Sequence, residues 1–430
     1  MNRFMTRQAA TLRIIAAASA VALGLTLSAC GGDEPPSATF VDGEKQQAPA
    51  SQTAPPVPFE FAIAPADKKK SLPVSTEITT DVKGGEITSV TLTEKGGKSV
   101  KGALRDDKTS WVPGAPLKYS ATYTATVVAT SATGQAETKT TTFSTMGRPG
   151  NEIGSGMYLF DGKTYGVAMP VVVEFNPGIP RKDRAAVQKR LFVTTDPPQP
   201  GTWHWVANGT QAYYRAPDYW KPGTTISVRA ALEGIPLSNG KYGNEDRKGT
   251  AKIGDKFEMK VENKTKKMQV FKNDKLVKTF PVSLGKASTP SSSGTLIVMD
   301  KLESTIFDTF AELGPDEGYR TEIDFAQRLT WGGEYIHSAP WSVGDQGVRN
   351  VSHGCVNLSP QNASWLFNQT KVGDPITIKG TERKLEDGNG WTAWNLSWDE
   401  FVKGSALPVP ANLKPASAAA ASAPAPTPTS

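Results

Sequence analysis

Cysteine and histidine are scarce in this sequence, with two cysteines and three histidines among 430 residues. The cysteines do not form a C-x-x-C motif, so a zinc site of that spacing is not expected. No apolar stretch reaches the roughly 20 residues that a transmembrane helix requires. Lysine and arginine are scattered, although the net charge is +6 and the pI is near 9.0. This distribution argues against nucleic-acid binding and fits an anionic partner such as a cell envelope.

The first cysteine lies at the end of an N-terminal export signal. A segment with three arginines precedes the short apolar run 14–25, and Leu27-Ser28-Ala29-Cys30 follows. This arrangement is typical of a cleaved signal peptide. The last four residues resemble the lipobox of bacterial lipoproteins, which implies a diacylglycerol (palmitate-type) anchor on Cys30. The alternative is an ordinary signal peptide with an incidental cysteine. We expect residues 1–30 to be a lipoprotein signal peptide and the mature protein to be anchored outside the cytoplasmic membrane, facing the cell wall.

The second cysteine, Cys355, has no partner within the chain if Cys30 is lipidated. An unpaired thiol in an exported protein indicates intermolecular pairing or a reactive site. A purely structural free thiol is a liability in oxidising surroundings. The compartment therefore favours a chemical role for Cys355.

The composition divides the chain into modules. Residues 31–56 and 407–430 are rich in Pro, Ala and Ser, and they are interpreted as a flexible stalk and a low-complexity tail. Between them, W-x-P-G occurs at Trp111 and again at Trp220, each time followed by alternating apolar residues. This repeat predicts two immunoglobulin-like β-sandwich modules, residues 57–147 and 148–250. We interpret both as spacers whose removal leaves the chemistry intact.

A third module, residues 251–380, carries the reactive residues and is followed by an extension, residues 381–406. Apolar alternation around Asn273-Asp274 predicts a β-hairpin. Ser359 and Pro360 predict the start of a short helix over 360–369, and 374–379 reads as a closing strand. The stretch 300–322 lacks clean periodicity and is interpreted as a long functional loop.

Residues 352–357 read SHGCVN and combine a thiol, an imidazole and a glycine. A thiol needs a base to become a nucleophile. His353 shares a face with Cys355 in extended backbone, whereas His337 can reach Cys355 through strand pairing. Gly354 lets backbone N–H groups approach a substrate, as an oxyanion hole requires. Two alternatives are core packing around a turn glycine and a zinc site of Cys355, His353 and His337, which lacks a fourth ligand. We expect neither a metal nor a cofactor.

His337, followed after fourteen residues by SHGCVN, is similar to the signature of the L,D-transpeptidases, the YkuD-type cysteine enzymes of peptidoglycan. The segments YRT at 319–321 and HSAPWSVG at 337–344 resemble the actinobacterial, mycobacterial-type branch. So does the order of lipobox, two immunoglobulin-like modules, catalytic domain and Trp-rich extension (Trp391, Trp394 and Trp398). The resemblance implies a mainly β fold, in which two immunoglobulin-like sandwiches precede a YkuD-type β-sandwich catalytic domain with a short helix.

The resemblance also implies a reaction. Cys355 would attack the donor tetrapeptide stem of peptidoglycan before its terminal D-Ala, and a diaminopimelate amine of an acceptor stem would resolve the thioester into a 3→3 cross-link. His337 would be the general base, oriented by the backbone carbonyl of Ser338. The remaining implied roles are an oxyanion hole of Tyr319 with the N–H groups of Gly354 and Cys355, a donor pocket shaped by Ser352, His353 and Asn357, and a flap of Trp341 with residues 300–322. The family's inhibitors, β-lactams of the carbapenem class, would acylate Cys355.

The flap segment 301–308 is more acidic and differently spaced than expected for this branch, and Val348-Arg349-Asn350 leaves fine specificity open. Asp345 is a second candidate for orienting His337. Two other functions also fit the sequence: an L,D-carboxypeptidase that uses water as the acceptor, and a non-catalytic lipoprotein that binds the wall.

Overall fold

The computed structural model describes residues 58–308, 310–318 and 320–415. The signal segment with Cys30, the whole predicted stalk and Tyr319 lie outside these residues. Strands dominate throughout, which confirms the mainly β fold class. No helix in the described residues is long and apolar enough to cross a bilayer.

The first module is a sandwich of two mainly antiparallel sheets. The sheet orders are β1-β3-β7-β6 and β2-β9-β8-β4-β5, and alternate residues of β8 point into a separate apolar core. The strands are β1 (Glu60–Ala64), β2 (Lys69–Leu72), β3 (Ile78–Lys83), β4 (Gly85–Glu94), β5 (Ser99–Val100), β6 (Gly102–Leu104), β7 (Ser110–Pro113), β8 (Thr122–Ser131) and β9 (Ala136–Thr145). The strand expected from Leu117 onward begins later, at Thr122, after a turn at residues 119–120.

The second module also has two sheets, ordered β14-β15-β12-β10-β17 and β11-β18-β16-β13. A short helix precedes β13. The elements are β10 (Glu152–Met157), β11 (Thr164–Tyr165), β12 (Val171–Asn176), α1 (Arg181–Gln188), β13 (Leu191–Asp196), β14 (Thr202–Trp205), β15 (Gln211–Arg215), β16 (Thr225–Ala231), β17 (Tyr242–Gly243) and β18 (Asp246–Ile253), with a 3-10 turn at Ser238–Gly240.

The first two modules meet through polar contacts. Glu77 of the first module accepts from Arg105 of the same module, at 2.6 Å, and from Arg190 of the second, at 2.5 Å. Arg229 Nη1 of the second module donates to Pro113 O at 2.7 Å. The apolar cores of the two modules are separate clusters, so charge and hydrogen bonding hold this junction.

The third module contains a six-stranded sheet, β21-β20-β19-β27-β22-β28, and a four-stranded sheet, β23-β24-β25-β26. Its elements are β19 (Phe257–Glu262), β20 (Lys267–Lys272), β21 (Lys275–Pro281), β22 (Ser292–Ile297), β23 (Asp300–Asp308), α2 (Phe310–Glu317), β24 (Arg320–Arg328), β25 (Tyr335–Ser338), β26 (Val356–Leu358), α3 (Pro360–Gln369), β27 (Pro375–Lys379) and β28 (Arg383–Lys384), with a 3-10 turn at Pro340–Ser342.

Local sequence signals explain several of these boundaries. Helix α3 starts at Pro360 behind the N-cap Ser359, whose hydroxyl accepts from the Asn362 N–H, as predicted. Asn273 and Asp274 both have positive φ angles, as a two-residue hairpin turn requires. These two predictions are confirmed.

The stretch 300–322, predicted as a loop, is instead largely a β-hairpin of β23 and β24, closed by α2. That prediction was wrong. The strand register is the same on both sides of Glu303, but the apolar Leu302 and Ile306 lie on the exposed face while Phe307 lies on the other. The sequence therefore lacks the clean two-residue period that would have revealed the strand. We call β23, α2 and β24 the flap.

The second module shares one apolar core with the third module and the extension. Ile297 and Met299 of the third module and Trp391 and Phe401 of the extension are buried in the same cluster as the interior of the second module. The second module is thus more than a spacer.

The extension contains a 3-10 turn at Thr392–Trp394 and helix α4 (Trp398–Lys403). A further 3-10 turn at Ala411–Leu413 lies in the segment predicted as a low-complexity tail, and there Leu413 is buried and its carbonyl accepts from Trp398 Nε1. The predicted start of the tail at residue 407 was therefore wrong.

Arg215 at the end of β15 illustrates this shared packing. Its guanidinium lies 4.3 Å from the ring centroids of both Trp394 and Phe401 and donates to Ala393 O and Leu396 O of the extension. His204 stacks on Phe401 and bonds its carbonyl through Nδ1 at 2.8 Å. His204 is therefore a packed histidine.

Candidate active site

Two short parallel strands bring the thiol and the imidazole to the same face of the sheet. β25 pairs with β26 in a register that matches Ile336 with Val356 and His337 with Asn357. Ile336 and Val356 point into the core. Because side chains alternate along a strand, His337 and Asn357 face away from that core, and Cys355, one residue before β26, shares their face.

This face lines a pocket of about 350 Å³. His337 is 3% exposed and Cys355 is 7% exposed, whereas Trp341 at the rim is 59% exposed. The lining residues are Thr321, His337, Trp341, Val351, Ser352, His353, Cys355 and Asn357. The structure therefore brings together all the predicted active-site residues that it describes, apart from Ser338 and Gly354, which adjoin the lining residues in the chain.

Burial keeps the thiol protonated. It raises the pKa of Cys355 to about 12, and the negative charge of Glu334 acts in the same direction, while a hydrogen bond from the Tyr335 N–H opposes both. The thiol lies 3.7 Å from Gly333 O. Resting Cys355 is thus a thiol, and forming the thiolate requires a base at the moment of reaction.

Burial also keeps the imidazole neutral. It lowers the pKa of His337 to about 4, with the Ser338 carbonyl acting in the opposite direction. His337 Nδ1 lies 2.7 Å from Ser338 O, and because a carbonyl only accepts, Nδ1 carries the proton. Nε2 is therefore the basic nitrogen. Asp345 is instead paired with Arg349, so the contact that orients His337 is the one to Ser338.

The turn before Cys355 is stabilised by the Ser352 side chain and contains Gly354 in a conformation that favours glycine. The Ser352 hydroxyl donates to Cys355 O at 2.7 Å and accepts from the Gly354 N–H at 3.2 Å. Gly354 has a φ of +127°, which an L side chain rarely adopts. In the described part of the chain, the Cys355 N–H donates to no protein acceptor. Of the two predicted backbone oxyanion donors, only the Cys355 N–H remains available.

The flap covers the imidazole. The Phe307 ring on β23 lies 5.6 Å from that of His337 and 4.6 Å from that of Tyr335. Lys301 fixes the base of the flap, because its Nζ donates to Phe367 O and Thr370 O at the end of α3, both at 2.6 Å. Tyr319 lies outside the described residues, so its predicted role stays a prediction.

Only one of the two side-chain polar groups of Asn357 has a hydrogen-bond partner among the described residues. Its amide nitrogen donates to Ser342 Oγ at 3.1 Å, while its buried Oδ1 has no hydrogen-bond partner among the described residues. This oxygen is buried without a partner in the described part of the chain, so it is an exception to the rule that buried polar atoms are hydrogen-bonded.

The sequence did not reveal the buried residues Ser291, Ser292 and Glu334, which pack next to the turn that carries Cys355. Glu334 is buried and accepts from the Ser292 N–H and hydroxyl, at 3.0 and 2.6 Å. Burial raises the pKa of Glu334, although these hydrogen bonds from Ser292 oppose the shift. Ser291 contacts the Gly354 carbonyl. Glu334 adjoins the predicted strand of His337 in the chain, but no local pattern links 291–292 to residue 354.

The fold and site together define a class. A mainly β protein that places a buried thiol, a neutral imidazole and an available backbone N–H around one pocket has the components of nucleophilic acyl transfer. Among the described residues, no group of three or more His, Cys, Asp or Glu side chains is placed to hold a metal.

Comparison with known proteins gives the family. Residues 256–378 match the L,D-transpeptidase catalytic domain (YkuD), and residues 69–236 match a bacterial Ig domain. L,D-transpeptidase 2 of Mycobacterium tuberculosis (strain CDC 1551 / Oshkosh) is 32% identical over 382 residues, which are 88% of this chain and 91% of that protein. L,D-transpeptidase 5 of strain H37Rv is 35% identical over 377 residues, 86% of this chain and 81% of that protein. A solved structure of the LD transpeptidase LdtMt1 in complex with imipenem is 34% identical and covers 54% of this chain and 100% of its own, with a TM-score of 0.44.

The chain therefore belongs to the L,D-transpeptidase family. Its enzyme class is transpeptidase, and its immunoglobulin-like region precedes the catalytic domain.

Proposed function

We propose that this protein forms 3→3 cross-links in peptidoglycan through a thioester on Cys355. The donor is a tetrapeptide stem that ends in D-Ala, and the acceptor is the side-chain amine of diaminopimelate on a second stem. The observation that carries the proposal is the neutral thiol and imidazole facing one buried pocket, beside a backbone N–H that has no acceptor in the described part of the chain.

In the first half of the reaction, His337 Nε2 takes the proton of the Cys355 thiol as sulfur attacks the carbonyl carbon before D-Ala. The negative charge that develops on the carbonyl oxygen is stabilised by the Cys355 N–H. The intermediate then collapses, the C–N bond breaks, and His337 returns the proton to the departing amine of D-Ala. A thioester remains on Cys355.

In the second half, the acceptor amine attacks the thioester carbonyl and His337 Nε2 takes a proton from it. The C–S bond breaks, the new amide forms, and the proton returns to the sulfur. Since a water molecule could attack in place of the amine, the pocket must favour the acceptor stem. The L,D-carboxypeptidase alternative differs only at this step.

β-Lactams of the carbapenem class fit the same chemistry. Attack by Cys355 on the ring carbonyl breaks the strained ring C–N bond and places the proton on the ring nitrogen. Because no atom leaves in this step, the adduct should weigh as much as the protein plus the intact drug.

The first experiment incubates the full chain and a Cys355→Ala variant with imipenem and records intact-protein masses. We expect one adduct on the unsubstituted protein and none on the variant, with unchanged thermal unfolding. A variant that retains acylation or cross-linking would refute the cysteine mechanism.

The second experiment gives both proteins disaccharide-tetrapeptide substrates and separates the products by mass spectrometry. A cross-linked dimer with release of D-Ala supports the transpeptidase, whereas tripeptide alone supports the carboxypeptidase. Loss of both products in Cys355→Ala assigns either reaction to this thiol.

We also propose that Cys30 carries the lipid anchor. The support is the lipobox resemblance of residues 27–30, which lie outside the described residues. A Cys30→Ala variant should move from the membrane fraction to the soluble fraction of cells while keeping its reactivity toward imipenem. Retention of that variant on membranes would contradict the proposal.

A further inference from the structure

A buried serine outside the pocket lining contacts the residue before the nucleophile. Ser291, immediately before β22, is 0% exposed. Its hydroxyl accepts from the Gly285 N–H at 2.9 Å and donates to Gly354 O at 2.6 Å. The hydroxyl proton is thereby committed to the Gly354 carbonyl.

This contact fixes the orientation of the next N–H group. A peptide unit is planar and trans, so the C=O of Gly354 and the N–H of Cys355 point in opposite directions. Holding the carbonyl against Ser291 turns the Cys355 N–H to the other side. As noted above, that N–H donates to no acceptor in the described part of the chain, as expected for a group that awaits an oxyanion.

Glycine at 354 makes the peptide orientation dependent on such support. Its φ of +127° lies where glycine is permissive and other residues are strained. The local backbone therefore resists rotation of this peptide less than an ordinary residue would. The Ser291 hydrogen bond supplies the restraint that the glycine lacks.

The backbone next to the donor Ser291 is fixed by hydrogen bonds of the following residue. The neighbouring Ser292 donates its N–H and its hydroxyl to the two carboxylate oxygens of Glu334. Arg383 lies 3.8 Å from the same carboxylate. Ser291 is thus anchored on a rigid strand start, as a precise active-site support requires.

We propose that Ser291 is a positioning residue for acyl transfer, which orients the Gly354–Cys355 peptide so that the Cys355 N–H stabilises the oxyanion. The proposal rests on the proposed function, because it presupposes attack of Cys355 on a carbonyl. A purely structural role, satisfying a buried carbonyl, would affect every reaction of the thiol alike.

The test compares two reactions of the same thiol in the full chain. Acylation by imipenem develops charge on a carbonyl oxygen, whereas alkylation by iodoacetamide displaces iodide at a saturated carbon and forms no oxyanion. Rates are measured on Cys355 by intact mass and peptide mapping. For Ser291→Ala we expect acylation to slow by about 10–100-fold, somewhat less than the roughly 10²–10³ lost when an oxyanion donor is removed, and alkylation to stay at the rate of the unsubstituted chain.

Ser283→Ala is the matched control. Ser283 is equally buried, accepts from the Val351 N–H and donates to Arg349 O, but it does not touch Gly354. Because its hydroxyl holds Val351 of the pocket lining, Ser283→Ala should change acylation and alkylation by the same factor, with no selective loss of acylation. If Ser291→Ala does not fold, Ser291→Cys replaces the hydroxyl with a slightly larger thiol that is a weaker donor. The same split between acylation and alkylation is then expected, with both rates read on the Cys355 peptide so that the new thiol does not count.

An equal fall of both rates in the Ser291 variants would assign Ser291 a structural role and overturn the proposal. Unchanged acylation would overturn it as well. An unsubstituted chain that imipenem never acylates would instead defeat the proposed function, so the two failures are distinguishable.

Discussion

Truncation from the N-terminus should have opposite effects at the two module junctions. A chain that begins at residue 148 loses the first module, whose apolar core is separate from that of the second. The groups uncovered at this junction are mainly polar, such as Arg190 after the loss of Glu77, and water can solvate them. We expect this shortened protein to fold and to react with imipenem at the rate of the full chain.

A chain that begins at residue 251 also loses the second module and should fail. Four large side chains of the remaining chain lie in the core that the second module completes: Ile297, Met299, Trp391 and Phe401, each at most 6% exposed. Burial of such a side chain contributes about 1.5–3 kcal/mol, so their exposure costs about 6–12 kcal/mol. A typical domain has a total stability of about 5–15 kcal/mol. The loss is therefore comparable to the whole stability.

Thermal unfolding and the imipenem mass shift, measured on both truncated chains, decide the matter. The shorter chain should aggregate or unfold without a cooperative transition, and its Cys355 should not be acylated. A chain starting at residue 251 that unfolds cooperatively near the full-length temperature and acylates normally would refute the shared-core reasoning. It would restore the interpretation of both modules as spacers.

Three further substitutions test the site and its support. His337→Gln should slow imipenem acylation by roughly 10²–10⁴, the usual contribution of general acid–base catalysis, and by more than His353→Gln does in the same stopped-flow assay. Asp374→Asn should change how stability depends on pH, because burial raises the pKa of this carboxyl to about 7. The contribution of Asp374 to the free energy of unfolding falls as pH rises from about 4 to 7, whereas that of His337, whose pKa burial lowers to about 4, rises over much of this range. The free energy of unfolding of the unsubstituted chain minus that of the variant should therefore fall between pH 4 and pH 7, as measured by urea unfolding at several pH values. Lys301→Met should destabilise the protein by about 1–3 kcal/mol, since the carbonyls of Phe367 and Thr370 lose their donor, as read from urea midpoints.

Each of these expectations has a contrary result. A larger loss from His353→Gln than from His337→Gln would reverse the assignment of the base. Parallel stability curves for Asp374→Asn and the unsubstituted chain between pH 4 and pH 7 would show that the carboxyl is already ionised when folded. An unchanged urea midpoint in Lys301→Met would mean that water replaces the ammonium at the end of α3.

The elements that the sequence predicted well are those with a local cause. Ser359 and Pro360 set the start of α3, and Asn273-Asp274 closes the β20–β21 hairpin, because capping and turn chemistry act over a few residues. The flap escaped prediction because the apolar Leu302 and Ile306 lie on its exposed face, while Phe307 lies on the other face. Its alternation therefore looked irregular.

In the active site, too, the residues with a local sequence signal were predicted and those that depend on distant packing were not. Cys355 and His337 were recognisable because reactive residue types are rare in this chain and stand in a distinctive motif. Ser291 and Glu334 were not, since their contacts with the Cys355 turn exist only after strands distant in sequence have packed. The shared core of the second module was hidden for the same reason.

The parallel pairing of β25 with β26 makes the distance from base to nucleophile independent of the shape of the pocket entrance. The ladder between the strands, and not the length of the intervening chain, sets the distance from base to nucleophile. Residues 340–351 join the strands at the pocket entrance and carry the exposed Trp341, Val343 and Val348. Evolution can therefore lengthen, shorten or rewrite this entrance segment to admit a different substrate, while the reactive pair keeps its alignment.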